Sequence, residues 1–193
     1  MSNKKEEAPI FRRDSVEFVT VAAQFCQYVE KAQETPRELF LSTLDKMLPL
    51  LYLKASVLRD MEDLRRMDEE DDMPQSVTEE IYEGLRINLS GVIASGDDYL
   101  DVFVEDMRYS DQPVTRYISE DLADIYQDLG NFVGAFRSGQ HALMNDALCE
   151  CMEHFSQYWG QRLLGALRAL HQILTTSSLE EDDNEYKDAD DFE

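Results

Sequence analysis

Cysteine is scarce: Cys26, Cys149 and Cys151 are the only three in 193 residues. An odd, sparse set argues against the disulfide framework that staples small secreted domains, so a reducing, cytoplasmic setting is expected. Long apolar runs are missing too. No stretch approaches the roughly 20 apolar residues that a bilayer crossing needs, and the polar start from Met1 to Pro9 lacks the apolar core of a signal peptide, so no membrane association is expected. Basic residues are few, 18 against 41 acidic ones, for a formal charge of -23. Nucleic-acid binding relies on Lys and Arg displacing counterions, so direct contact with nucleic acid is disfavoured. Finally, GxxxxGK[ST], GxGxxG, HExxH and GxSxG are all absent. The common phosphate, dinucleotide, protease and hydrolase signatures therefore supply no catalytic residue and no cofactor.

What is there is a core. Hydrophobic residues make up 43% and aromatics 10% of the chain, enough for one globular domain. Phe18, Val19, Ala22, Phe25, Cys26 and Val29 recur at helical spacing, which predicts a first helix from Asp14 to Ala32. Thr35, Pro36 and Glu38 form a helix-start signature, and Leu39, Phe40, Leu44, Met47 and Leu48 carry a second helix that Pro49 should kink or interrupt. After the carboxylate run Asp68 to Asp72, Ser76 and Glu79 offer a capping box for a third helix bearing Ile81, Leu85, Leu89 and Val92. A fourth begins at Ser119, with Leu122, Ile125, Leu129, Val133 and Phe136 on one stripe and Gly139 as a left-handed cap. A fifth runs from about Ala142 to Tyr158, and a sixth follows Trp159 and Gly160. The expected fold is all-α: a compact bundle of about six helices, flexible over 1–13, with a single helical domain over 14–177. Between 96 and 117 an irregular connection with no evident strand pair is expected, and over 178–193 a disordered acidic tail.

Particular residues carry a family resemblance. Asp97, Arg116, and the run Ile118, Ser119, Asp121, Leu122, Ala123, Asp124, Ile125, Tyr126, Gln127, Asp128 and Leu129 resemble a bacterial family known as domain of unknown function 5063. Ala147, Leu148, Trp159, Gly160, Ala166, Leu167, Ala169, Leu170 and His171 are similar to that family's closing helices. The resemblance implies a compact helical domain and brings no activity, cofactor or site residues.

Two constellations invite chemistry. Asp121, Asp124 and Asp128 lie at i, i+3 and i+7, and Glu80 with Glu83 at i, i+3 could complete a magnesium site like those of helical phosphohydrolases. The bland reading of that row is the solvated face of an amphipathic helix. Tyr109, Tyr117, Tyr126, Tyr158 and Trp159 could line a groove for a partner helix, or simply seal helix junctions. Cys149, Cys151 and His154 do not suit zinc, because helical positions two apart point in nearly opposite directions, so a buried Cys151 is expected. His154 and His171 could meet across adjacent helices. The favoured function is a noncatalytic protein-interaction module with an unidentified protein partner; the alternative is a divalent-metal phosphohydrolase acting on a small phosphorylated molecule.

Overall fold

Apolar residues at three- and four-residue spacing dictate most of the architecture. A computed structural model describes residues 8–61, 63–66, 74–101 and 114–190, with side chains to residue 176. Six helices are described: α1 (Arg13–Glu30), α2 (Arg37–Arg59), α3 (Glu79–Ile93), α4 (Ile118–Arg137), α5 (His141–His154) and α6 (Gly160–Asp190). A π-helical turn, Phe155–Trp159, joins α5 to α6 without an intervening loop, so the six segments form five rods. Among the described residues, no helix is long and apolar enough to cross a membrane.

α4 is the centre of the bundle. It packs against α1, α3, α5 and α6, while α2 closes the far side against α1 and α6. One continuous core results, with Phe18, Phe25, Phe40, Leu48, Leu89, Leu122, Phe132 and Trp159 all buried. Such burial of large side chains stabilises each by roughly 1.5–3 kcal/mol before ordering entropy is counted.

The helix starts differ in detail from expectation. Thr35, ahead of a proline, is held extended, and Pro36 occupies the cap position of α2 with no side-chain cap bond. Pro49 lies inside α2 without interrupting it. It is exposed, where the carbonyl that loses its amide partner can face water at least cost. At α3 the cap is Thr78, whose hydroxyl accepts from the Ile81 amide at 3.3 Å. Ser76 is tied elsewhere: the Ser76 and Val77 amides both donate to Asn131 Oδ1 of α4 at 2.8 Å. Gly139 does adopt a positive φ, +70°, just past α4.

The connection between α3 and α4 holds a strand pair that was not expected. β1 (Asp98–Asp101) and β2 (Val114–Tyr117) run antiparallel, with Tyr99 opposite Arg116 and Asp101 opposite Val114. Four-residue strands show too few alternations to reveal a period of two in the sequence. The carboxylate run Asp68 to Asp72 lies outside the described residues. α6 is helical in backbone to Asp190, so residues 178–190 of the acidic segment continue the last helix directly. Once a helix is nucleated, each further residue adds a hydrogen bond without a new nucleation cost.

Candidate functional site

The first turns of α4 are anchored from outside the helix. Asp97, buried just before β1, accepts from the Ser119 amide at 2.8 Å and the Ser119 hydroxyl at 2.7 Å, and its second oxygen also takes the Ser90 hydroxyl at 2.9 Å. Its backbone carbonyl accepts from the Ile118 amide at 2.8 Å. A remote carboxylate thus does the work of an N-cap side chain and joins α3, the hairpin and α4.

This anchoring sets Asp121 against Tyr99 of the hairpin and Asp124, one turn on, against Tyr82 of α3 and Tyr158 of the π turn. Both aspartates are buried, Asp121 to 1% exposure, which corrects the reading of the acidic row as a solvated face. A central helix has neighbours on every side, so its polar stripe is covered as well as its apolar one. Asp121 Oδ2 accepts from the Tyr99 hydroxyl at 2.5 Å. Asp124 accepts from Tyr82 of α3 at 2.8 Å and from Tyr158 of the π turn at 2.6 Å. No buried side-chain nitrogen or oxygen among the described residues lacks a partner.

Burial pushes the Asp121 carboxyl up to about 7, although the Tyr99 bond and the nearby Arg116 charge pull the other way. The Tyr82, Tyr99 and Tyr158 hydroxyls are raised as well, first by burial and then by their carboxylate partners, so they remain donors at neutral pH. Asp128, two turns on, is raised by burial and contacts His154 Nδ1 at 2.6 Å.

Arg162 of α6 stands between the two carboxylates but holds neither closely. Its Nη1 is 3.5 Å from Asp121 Oδ1 and its Nε 3.5 Å from Asp124 Oδ2, while its guanidinium carbon lies 4.8 Å from the Tyr158 ring centre. Beside it opens a cleft of about 480 Å³ between the hairpin and α6. Tyr99, Tyr158, Leu164 and Gly165 form its walls, and Arg116, Arg162, Arg168, Asp101, Gln157 and Gln161 its polar lining. Arg116 pairs with Asp101 at 2.9 Å, and Arg168 donates to the Leu100 carbonyl at 2.9 Å.

Gly165 is required for this arrangement, since a Cβ there would stand 2.4 Å from the Tyr99 hydroxyl oxygen. Gly165→Ala is therefore expected to push Tyr99 off Asp121 and to cost about 1–3 kcal/mol through overpacking. Hydrogen exchange at the paired strands checks this: the β1 and β2 amides should lose protection before those of α4, and unchanged strand protection would refute it.

The site residues expected from the sequence are only partly brought together. Glu80 is exposed and Glu83 pairs with Arg86 at 2.8 Å, so neither joins Asp121 and Asp124. Among the described residues no group of three His, Cys, Asp or Glu side chains is placed to hold a metal. The aromatic set also separates. Trp159 is wholly buried and donates to the Cys151 carbonyl at 3.0 Å; Tyr126 is buried with its hydroxyl on Glu30 at 2.8 Å. Tyr117 sits next to Arg116 in β2, and alternation along the strand turns it to the other face of the hairpin. Tyr109 lies outside the described residues. Of the described members of that set, only Tyr158 lines the cleft, in company with Tyr99.

Cys151 is buried as expected, and Cys149 is buried with it. Burial pushes Cys149 up to about 11 and Cys26 to about 12, leaving neutral, unreactive thiols. His154 and His171 do not pair with each other; they face Asp128 and Asp45 respectively. The sequence reading passed over Tyr82, Arg162 and Arg168. Its one available signal was the spacing of Tyr158, Arg162 and Gly165, which shares a helix face.

Fold and site together define an all-α bundle protein whose central helix carries a buried pair of carboxylates bonded by tyrosines, beside a two-stranded hairpin. The chain belongs to the family described as domain of unknown function 5063, whose model matches residues 9–176. It is similar to protein BF1032 from Bacteroides fragilis, known from a crystal structure, at 44% identity and a TM-score of 0.75 over 86% of this chain and 94% of that one. No curated protein matches it.

Proposed function

We propose that this protein is a noncatalytic interaction module that docks a protein partner at the cleft between the hairpin and α6. The observation that carries the reading is the composition of that cleft. Arginine and tyrosine, the residue types that dominate binding hot spots, line it beside Leu164, and the buried Asp121 and Asp124 hold the two tyrosines in place. Pre-positioned side chains lose little freedom on binding, which favours recognition. Glu80 and Glu83 stand apart from the two buried aspartates, so the carboxylates add no support for the phosphohydrolase alternative.

A Leu164→Asp variant of the full chain tests the proposal. Leu164 is 40% exposed at the cleft wall, so a charge there should leave the fold intact and disfavour an apolar contact. A stoichiometric partner captured from lysate by the natural chain should be lost by the variant at moderate salt. Capture that is indifferent to the substitution would place docking elsewhere and overturn the assignment.

A further inference from the structure

Three of the chain's 18 basic residues, Arg116, Arg162 and Arg168, converge on one cleft of a protein carrying a formal charge of -23. They come from two elements remote in sequence, β2 and α6, and the hairpin brings them together. The three are not equally engaged. Arg116 makes a 2.9 Å ion pair and Arg168 a 2.9 Å bond to a carbonyl. Among the described residues the polar contacts of Arg162, to Tyr158, Asp121 and Asp124, are all long, 3.4 to 3.5 Å. Strong charge-assisted hydrogen bonds run at about 2.7–2.9 Å, so this guanidinium is positioned without being saturated. The carboxylates beside it take their short bonds from tyrosines instead.

We propose that the cleft binds a carboxylate borne on an apolar or aromatic body, with Arg162 as the anchor for the anion and Leu164, Gly165 and the Tyr99 and Tyr158 rings as the wall for the body. The planar, forked guanidinium matches a carboxylate bidentately. Apolar walls with a few convergent polar groups are the usual make-up of such pockets, and about 480 Å³ lies within their usual size range. The inference deepens the docking reading, because a partner's chain end would present this chemistry; a small organic acid would present it equally.

Binding should also be linked to a proton. Asp121 is faced by Tyr99 from β1, Arg116 from β2, Glu120 and Asp124 from α4, and Tyr158 and Arg162 from the π turn and α6. A ligand anion on Arg162 adds negative charge near Asp121 and so favours its neutral form. Affinity should therefore rise as pH falls through about 7.

The test is an NMR titration of the full chain with phenylacetate, its uncharged amide, and a tripeptide ending in phenylalanine with a free or amidated terminus. Phenylacetate should give saturable shifts at cleft residues and bind more tightly near pH 6 than near pH 8, while the amide binds about tenfold or more weakly. Arg162→Gln should weaken the acid by a similar factor, and Asp121→Asn should abolish the pH dependence. A free tripeptide that outbinds phenylacetate points to a chain end, and equal binding points to a small acid; either supports the site. Equal binding of acid and amide to the natural chain overturns it without reliance on any variant. Failure of the Leu164→Asp capture test alongside saturable phenylacetate binding would sink only the docking reading.

Discussion

Asp121→Asn is expected to resist urea better than the natural chain at alkaline pH, and to lose that advantage on acidification. The sign follows from the carboxyl's environment. Its folded value, about 7, lies well above the ordinary aspartate value of about 3.9 in an unfolded chain. The native state keeps a proton that the unfolded state releases, so the group's contribution is fully present below about pH 4 and is lost as pH rises through about 7. At roughly 1.4 kcal/mol per pKa unit, the whole loss is on the order of 4 kcal/mol. Asparagine never ionises and does not suffer it. Glu17, Asp60 and Asp63 titrate in the opposite sense, held low by Lys54, Arg59 and Arg12, but they are common to both chains and cancel in the difference. Urea unfolding of both chains across about pH 4 to 9 is the measurement; parallel profiles would show that Asp121 does not sit in the environment described.

The second large effect is expected at the only tryptophan. Trp159 is the largest fully buried side chain; its ring lies 4.6 Å from that of Phe155, and its indole nitrogen donates to the Cys151 carbonyl. Trp159→Ala removes a filled volume at the junction of α5 and α6 and should cost about 3–5 kcal/mol. That is a large share of the 5–15 kcal/mol typical of a domain. Trp159→Phe should cost less, because it keeps most of the volume and gives up mainly the hydrogen bond. Circular dichroism is the suitable probe, since the variant loses its own fluorophore. A shift under about 1 kcal/mol for the alanine variant would contradict the packing.

The helices were legible because their apolar positions repeat over many turns. α1, with Phe18, Ala22, Phe25 and Val29 buried, and α4, with Leu122, Ile125, Leu129 and Val133 buried, are read almost directly from spacing. The hairpin was not, because Tyr99 to Asp101 is too short to display alternation, and its partner strand lies beyond residues 102–113. The site was half legible. Asp121 and Asp124 stood out as a row, yet periodicity marks only the most apolar stripe of a helix and says nothing about what covers the others. Their partners were hidden for the same reason. Tyr82, Tyr99 and Arg162 come from α3, β1 and α6, and a lone arginine on a helix reads as solvated until the neighbouring element is in place. Of the aromatic residues singled out in the sequence, Tyr158 lines the cleft, beside Tyr99.

The π turn has a consequence for how such chains tolerate changes in length. A π turn holds one residue more than an α turn, and each helical residue advances the direction of its side chain by about 100°. Everything after Trp159 is accordingly phased by that surplus residue, including the placement of Arg162, Gly165 and Arg168 toward the hairpin. Gly160 belongs to the same device, since a Cβ there would meet the Phe155 carbonyl at 2.4 Å. A chain shortened by a single residue within 155–159 could keep an unbroken helix and every apolar letter of α6. It would present a different meridian of that helix to the hairpin, and the three guanidiniums would no longer share an opening.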